Sequence, residues 1–261
     1  MQRLILIILL GLGPILNAQS NMNGFYCDPE TGLCVIPEVE DTAAPAEVWK
    51  EDEEIIYVGD PMCSWCWGIS PALHQLELQA AGAGIPFRIV VGGLRPGGGD
   101  PWNDQFQKFL KHHWEEVNQR SGQPFGFDLF ERDNFNYDTE PSCRAVVAAR
   151  LLDPTKEHRF FELVQHHFYV RNEDPTQAAF YEPICKTLGL DYQQFLERFN
   201  AQDVRDLTQA EFALNRQWGV RGYPTVIFRK GEKLYSLAGG YATFEQMWAQ
   251  LQNLSGVQSN P

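Results

Sequence analysis

The sequence predicts an α/β chain in which a long helical insertion interrupts a small β-sheet. Three observations predict it. Two β-rich runs, residues 55–58 and 87–91, flank a helical pattern in the first part of the chain. Residues 104–218 then carry apolar residues at helical spacing. The end returns to β, with residues 225–228 and 234–237 on either side of the turn Lys230-Gly231-Glu232-Lys233.

Each element has a local reason. Ile55-Ile56-Tyr57-Val58 is β-branched and aromatic, and Gly59-Asp60-Pro61 bounds it, which suits a strand. Residues 63–80 place Ile69, Leu73 and Leu76 on one helical face, and Pro71 within them should kink the helix. Phe87-Arg88-Ile89-Val90-Val91 reads as a buried strand stopped by Gly92-Gly93. Strand, helix, strand over so short a span predicts a parallel pair. In the middle, Pro141 suits the first turn of a helix running through Arg144-Ala145-Val146-Val147. Phe160, Phe161, Val164 and Phe168 form one apolar stripe, and Tyr192, Phe195, Leu196 and Phe199 another. Both read as core packing rather than cofactor contacts. Thr243 with Gln246 forms a capping box for a last helix carrying Phe244, Met247, Trp248 and Leu251.

Composition narrows the function classes. The 261 residues are 44% hydrophobic and 13% aromatic, enough to fill a sizeable core. The net charge of −13 leaves no basic stripe for phosphates, which argues against nucleic acid or an anionic membrane surface as partner. Residues 1–20 read as a signal peptide: Arg3 is the positive start, an apolar run extends from Leu4 to Leu16, and cleavage fits after Ala18 or Ser20. Gly11, Gly13 and Pro14 interrupt that run, which is short for a bilayer span. No membrane span is expected after cleavage, and the expected location is the bacterial periplasm. Residues 21–53 read as an acidic extension, with Pro29, Pro37 and Pro45 suiting a solvated linker and Cys27 and Cys34 lying on either side of a turn.

Export makes disulfide chemistry available to the six cysteines. Cys63-Ser64-Trp65-Cys66 stands at the start of a predicted helix. There, unpaired backbone N–H groups and the positive end of the helix dipole favour a thiolate. Cys63 is therefore the expected nucleophile, and Cys66, one turn on, the resolving thiol. Structural zinc needs two more suitably spaced ligands, and neither a second C-x-x-C nor an H-x3-H is present. No metal or other cofactor is expected. Met62, Trp65 and Trp67 put apolar surface near the thiols; Trp65 and Met62 read as contacts for unfolded substrate, whereas Trp67 reads as packing. Gly222-Tyr223-Pro224-Thr225 sets a proline directly before a strand, where a cis bond would mark a constrained turn. Facing Cys63, the Tyr223 backbone could pair with an extended substrate chain.

These residues carry a family resemblance. Cys63-x-x-Cys66, Pro71, and residues 219–225 followed by a hairpin and helix resemble the thioredoxin fold. The helical stretch at its place in the chain resembles the DsbA branch. Residues 60–68 with 91–96, and residues 139–147, resemble a DsbA-like subgroup described as candidate protein-disulfide isomerases. The resemblance implies a thioredoxin-fold domain at residues 54–100 and 219–255, with a helical domain inserted at 101–218. It also implies that Cys63 and Cys66 are the catalytic pair and Pro224 the cis-proline. The expected activity is thiol–disulfide exchange with client proteins and a redox partner protein, as oxidase, isomerase or reductase. Two departures stand out. Many relatives place a buried acid six residues before the first cysteine, where this chain has Tyr57; Asp60, Glu54 or water could substitute. Ser64-Trp65 offers no imidazole to a thiolate, so the pair is expected to be less oxidising than DsbA's.

Other readings stay open. Cys27 and Cys34 could form a structural disulfide, act as a relay to Cys63, or capture a metal ion. Cys143 could be buried as a small hydrophobe or pair with Cys185. The adjacent histidines His112-His113 and His166-His167 point apart on a helix and do not chelate together. Without turnover, the chain could bind a soft metal ion or hold clients. A kappa-type glutathione transferase or isomerase is disfavoured, since that class uses a single Ser or Cys.

Overall fold

The computed structural model describes residues 52–255 together with the short segments Tyr26–Cys27 and Cys34–Val35. In chain order the strands are β1 (Tyr26–Cys27), β2 (Cys34–Val35), β3 (Glu53–Gly59), β4 (Phe87–Val91), β5 (Thr225–Lys230) and β6 (Lys233–Gly239). The helices are α1 (Ser64–Gly82), α2 (Asp104–Ser121), α3 (Glu140–Leu152), α4 (Glu157–Tyr169), α5 (Glu182–Leu188), α6 (Tyr192–Asn200), α7 (Gln202–Gln217) and α8 (Phe244–Ser255).

The sheet runs β1-β2-β6-β5-β3-β4. β3 and β4 are parallel, joined through α1 as the sequence predicts, while β5 and β6 are antiparallel to their neighbours. Gly231, at φ 59°, forms the turn between β5 and β6, a left-handed geometry that costs glycine little. β3 is central and buried on both faces, which explains its unbroken apolar run. Ile55 and Tyr57 face the larger core, and Ile56 and Val58 face a smaller one with Val90, Val220 and Ile227. The larger core continues without a break into the helical insertion, through Trp114, Phe160, Phe161, Phe168 and Phe195. At the end of β4, α7 satisfies the strand: Val91 N–H donates to Glu211 at 2.7 Å, and Asn215 donates to the Val91 carbonyl at 2.7 Å. The predicted capping box holds, with Thr243 N–H donating to Gln246 at 2.9 Å and Gln246 N–H to the Thr243 hydroxyl at 3.3 Å.

Pro71 sits inside α1, where it cannot donate to the Trp67 carbonyl one turn earlier. The Gln123 side-chain amide takes that role at 3.0 Å, and the Trp67 indole donates to the Pro124 carbonyl at 3.0 Å. The proline that interrupts the helix thus leaves an acceptor through which the loop after α2 fastens the start of α1. Residues 1–20 and nearly all of the acidic extension lie outside the described residues. In the part that is described, Cys27 stands opposite Cys34 in the β1–β2 register, and β2 pairs with β6.

Candidate active site

The turn from β3 into α1 builds the site. Asp60 folds back on this turn: one carboxylate oxygen accepts Met62 N–H at 2.8 Å, and the other accepts Leu94 N–H at 2.6 Å. Cys63 N–H donates to the Asp60 carbonyl at 3.0 Å, closing the turn. Cys63 is then the N-cap of α1 with extended backbone, φ −90° and ψ 118°, and its carbonyl accepts Cys66 N–H at 2.9 Å. No side chain caps this helix, so the open N–H groups of its first turn are left to the thiol.

Exposure separates the two cysteines. Cys63 retains 6% and Cys66 none. Burial, reinforced by the hydrogen bond and charge of Cys63, pushes the Cys66 thiol well above its ordinary pKa. Tyr223–Pro224 is cis, and Cys63 Sγ donates to the Tyr223 carbonyl at 3.5 Å. Trp65 is partly exposed beside them, its ring 6.1 Å from Tyr241, and the Arg120 guanidinium lies 5.6 Å over the Tyr241 ring. Trp65, two residues from Cys63, thus joins Tyr241 and Arg120 in one partly exposed group.

Beneath the thiols lies a buried polar cluster. Burial raises the Asp60 carboxyl, against hydrogen bonds from Leu94, Thr139, Met62 and Cys143 that lower it. Cys143 Sγ is 3.5 Å from Asp60, and burial followed by the Asp60 charge pushes that thiol well up. The Tyr137 hydroxyl donates to the Met62 carbonyl at 2.7 Å. Tyr57 is buried with its hydroxyl unpaired, and after burial Cys66 is the strongest influence raising it.

Several sequence expectations need correction. Met62 is not a surface contact: its side chain is 0% exposed, because Asp60 and Tyr137 hold its backbone and turn it into the core. Glu54 does not stand in for the missing acid. It sits at the far end of β3, roughly 16 Å of strand away, and pairs with Arg229 at 2.8 Å and Arg88 at 3.7 Å. Cys143 and Cys185 do not pair; both are free and buried, with Cys143 turned to Asp60 and Cys185 pushed by burial to about 12. The structure brings Cys63, Cys66, Trp65, Tyr223 and Pro224 together, and Asp60 with them. Side chains of Cys27 and Cys34 lie outside the described residues. Tyr137, supplied by the helical insertion, gave no sequence signal that tied it to Cys63, and Cys143 had only its place in residues 139–147, which resemble the same subgroup as residues 60–68.

Gly92 is shaped by the same site. The Tyr223 hydroxyl donates to the Gly92 carbonyl at 2.5 Å, and a Cβ at Gly92 would lie 2.7 Å from the Tyr223 ring. Gly92→Ala should therefore displace Tyr223, costing about 1–3 kcal/mol of stability by overpacking. It should also slow the reaction of Cys63 with a peptide disulfide more than that with a small-molecule disulfide. Urea unfolding and paired kinetics with peptide and small-molecule disulfides check this.

The fold is shared with known proteins. A family model described as "DSBA-like thioredoxin domain" matches residues 54–252. Among solved structures, a candidate protein disulfide isomerase from Nitrosomonas europaea is similar at 32% identity and TM-score 0.72, over 79% of this chain and 98% of that one. The cytosolic disulfide reductase DsbM from Pseudomonas aeruginosa shares the fold at TM-score 0.65 and 24% identity, over 78% of this chain and 98% of that one. Among curated proteins, the ClpXP adapter protein SpxH of Shouchella clausii is 26% identical over 207 residues, 78% of this chain. The chain spans 65% of that relative's length, slightly less than two thirds.

Proposed function

The chain belongs to the DSBA-like thioredoxin domain family, and on that premise we propose that it exchanges thiols and disulfides with client proteins through Cys63 and Cys66. The observation that carries this reading is Cys63 at the open N-terminus of α1, its Sγ 3.5 Å from the carbonyl that precedes cis-Pro224. An extended client segment along Tyr223 would bring its disulfide to Sγ.

In the reducing direction, the Cys63 thiolate attacks one client sulfur and forms a mixed disulfide, releasing the other client sulfur as thiolate. Cys66 then attacks Cys63 Sγ, closing the Cys63–Cys66 disulfide and releasing the second client thiol. Two electrons pass to the client, and the two protons of the enzyme thiols end on it. The oxidising direction is the reverse.

Ser64 and Trp65 bring no positive charge between the cysteines, and the buried carboxyl of Asp60 lies below them. Neither feature favours the thiolate that makes a strong oxidant. We expect a reduction potential between protein disulfide isomerase's about −180 mV and thioredoxin's about −270 mV. Glutathione equilibrium measures it, and a value near DsbA's about −120 mV would overturn this assignment. Residues 1–20 support export to the periplasm as part of the proposal; the mature N-terminus recovered from a periplasmic fraction tests it.

The likeness to SpxH favours a second reading, a client-holding adapter that works without turnover. The test is insulin reduction with a regenerating donor. Multiple turnovers that vanish in Cys63→Ser support exchange, whereas binding that survives in Cys63→Ser with no turnover in either protein supports the adapter.

A further inference from the structure

We propose that His74, Glu77 and His158 bind one divalent transition-metal ion of the zinc class and so clamp α1 to α4. One ligand atom from each of the three lies within 4.8 Å of the other two. His74 and Glu77 are three residues apart on α1 and share a face, and His158 comes from the first turn of α4.

The three residues are positioned by different forces. His158 Nδ1 is 2.6 Å from Glu77 Oε2. Its ring stacks on Phe87 at 5.3 Å and 14°, so packing fixes it. His74 Nδ1 is 3.5 Å from Glu162 Oε1, the kind of carboxylate contact that orients a metal-bound imidazole. The Glu162 carboxylate is itself held by Arg159 at 2.7 Å. His74 is half-exposed on the wall of a cleft of about 630 Å³ that also contains Ser70, Glu162 and His166. The cleft borders the cluster on its His74 side, where an ion would approach.

Two imidazoles and one carboxylate are the donor set of three-ligand zinc sites, which leave a fourth position to water. Tetrahedral ligands at about 2.0–2.1 Å from zinc stand roughly 3.3 Å apart. Glu77 Oε2 and His158 Nδ1, 2.6 Å apart, must therefore open to that separation while the half-exposed His74 side chain closes in on both. The ion would replace the Glu77–His158 hydrogen bond by a link across the seam between the catalytic helix and the helical insertion. Metal would then stabilise the folded chain in proportion to its occupancy.

The test uses the full chain with the Cys63–Cys66 disulfide closed, titrated with Zn2+ by calorimetry. The expected result is one ion per chain, with affinity at least tenfold weaker in His74→Ala and in Glu77→Gln. His112→Ala serves as control, since His112 also faces a carboxylate, Glu116, at 3.4 Å; it should bind as the parent does. Co2+ in place of Zn2+ should give a spectrum without thiolate-to-metal charge transfer, separating this site from the cysteines. Zn2+ should raise the unfolding temperature of the parent and not of His74→Ala, and His74→Ala should keep its disulfide-exchange activity. Absence of stoichiometric binding, undiminished affinity in both variants, or thiolate bands with Co2+ would overturn the proposal.

Discussion

Cys63→Ser should lower client disulfide exchange by at least about a thousandfold, because a serine hydroxyl at neutral pH supplies no comparable nucleophile. Cys66→Ala should behave differently. It keeps the nucleophile and removes the thiol that resolves the mixed disulfide, so a covalent adduct between Cys63 and client should accumulate under non-reducing conditions. The asymmetry follows from burial: Cys63 is 6% exposed and Cys66 wholly enclosed beside Tyr57. Mass spectrometry of the trapped adduct identifies the sulfur. An adduct on Cys143 instead would sink the assignment of roles, since that thiol is buried against Asp60.

Asp60→Ala should destabilise the chain by about 2–4 kcal/mol, because the N–H groups of Met62 and Leu94 lose the acceptor that both share. The turn that presents Cys63 should loosen with it. Asp60→Asn keeps one acceptor and separates the hydrogen bonds from the charge. Burial raises the folded carboxyl above its ordinary range, so its contribution to stability is full below the unfolded pKa of about 4. That contribution is lost as pH rises through the folded value. The parent should therefore lose stability with rising pH relative to Asp60→Asn. Urea unfolding of both proteins at pH 4.5 and 7.5 measures the gap; one that does not change with pH would mean the buried carboxyl titrates normally.

Much of the site was legible because its signals are local. A pair of cysteines three apart at a helix start, and a proline just before a strand, each follow from geometry within one or two turns of chain. Periodicity found the stripes of α4 and α6 for the same reason: Phe160, Phe161, Val164 and Phe168 are all buried. The failures were long-range. Met62 reads as an exposed apolar neighbour of a thiol until Tyr137, 75 residues away, is found on its carbonyl. Cys143 and Cys185 read as possible partners until the fold gives one of them to Asp60. Asp60 and Glu54 are equally acidic in sequence, and the direction of β3 alone puts one under the thiols and the other against Arg229.

The sequence by itself determined the local settings: the strand–helix–strand unit, the helical stretch, the closing hairpin and helix, the helix that begins at Cys63, and the constrained turn at Pro224. Tertiary structure alone decided what surrounds them. Residues brought in from the helical insertion settle which groups are buried and which carbonyls are taken. The physical reason is that helix and strand propensities, caps and turns act over a few residues. Desolvation and hydrogen-bond satisfaction, by contrast, depend on packing between segments a hundred or more residues apart, as the 160 residues between Cys63 and Tyr223 show.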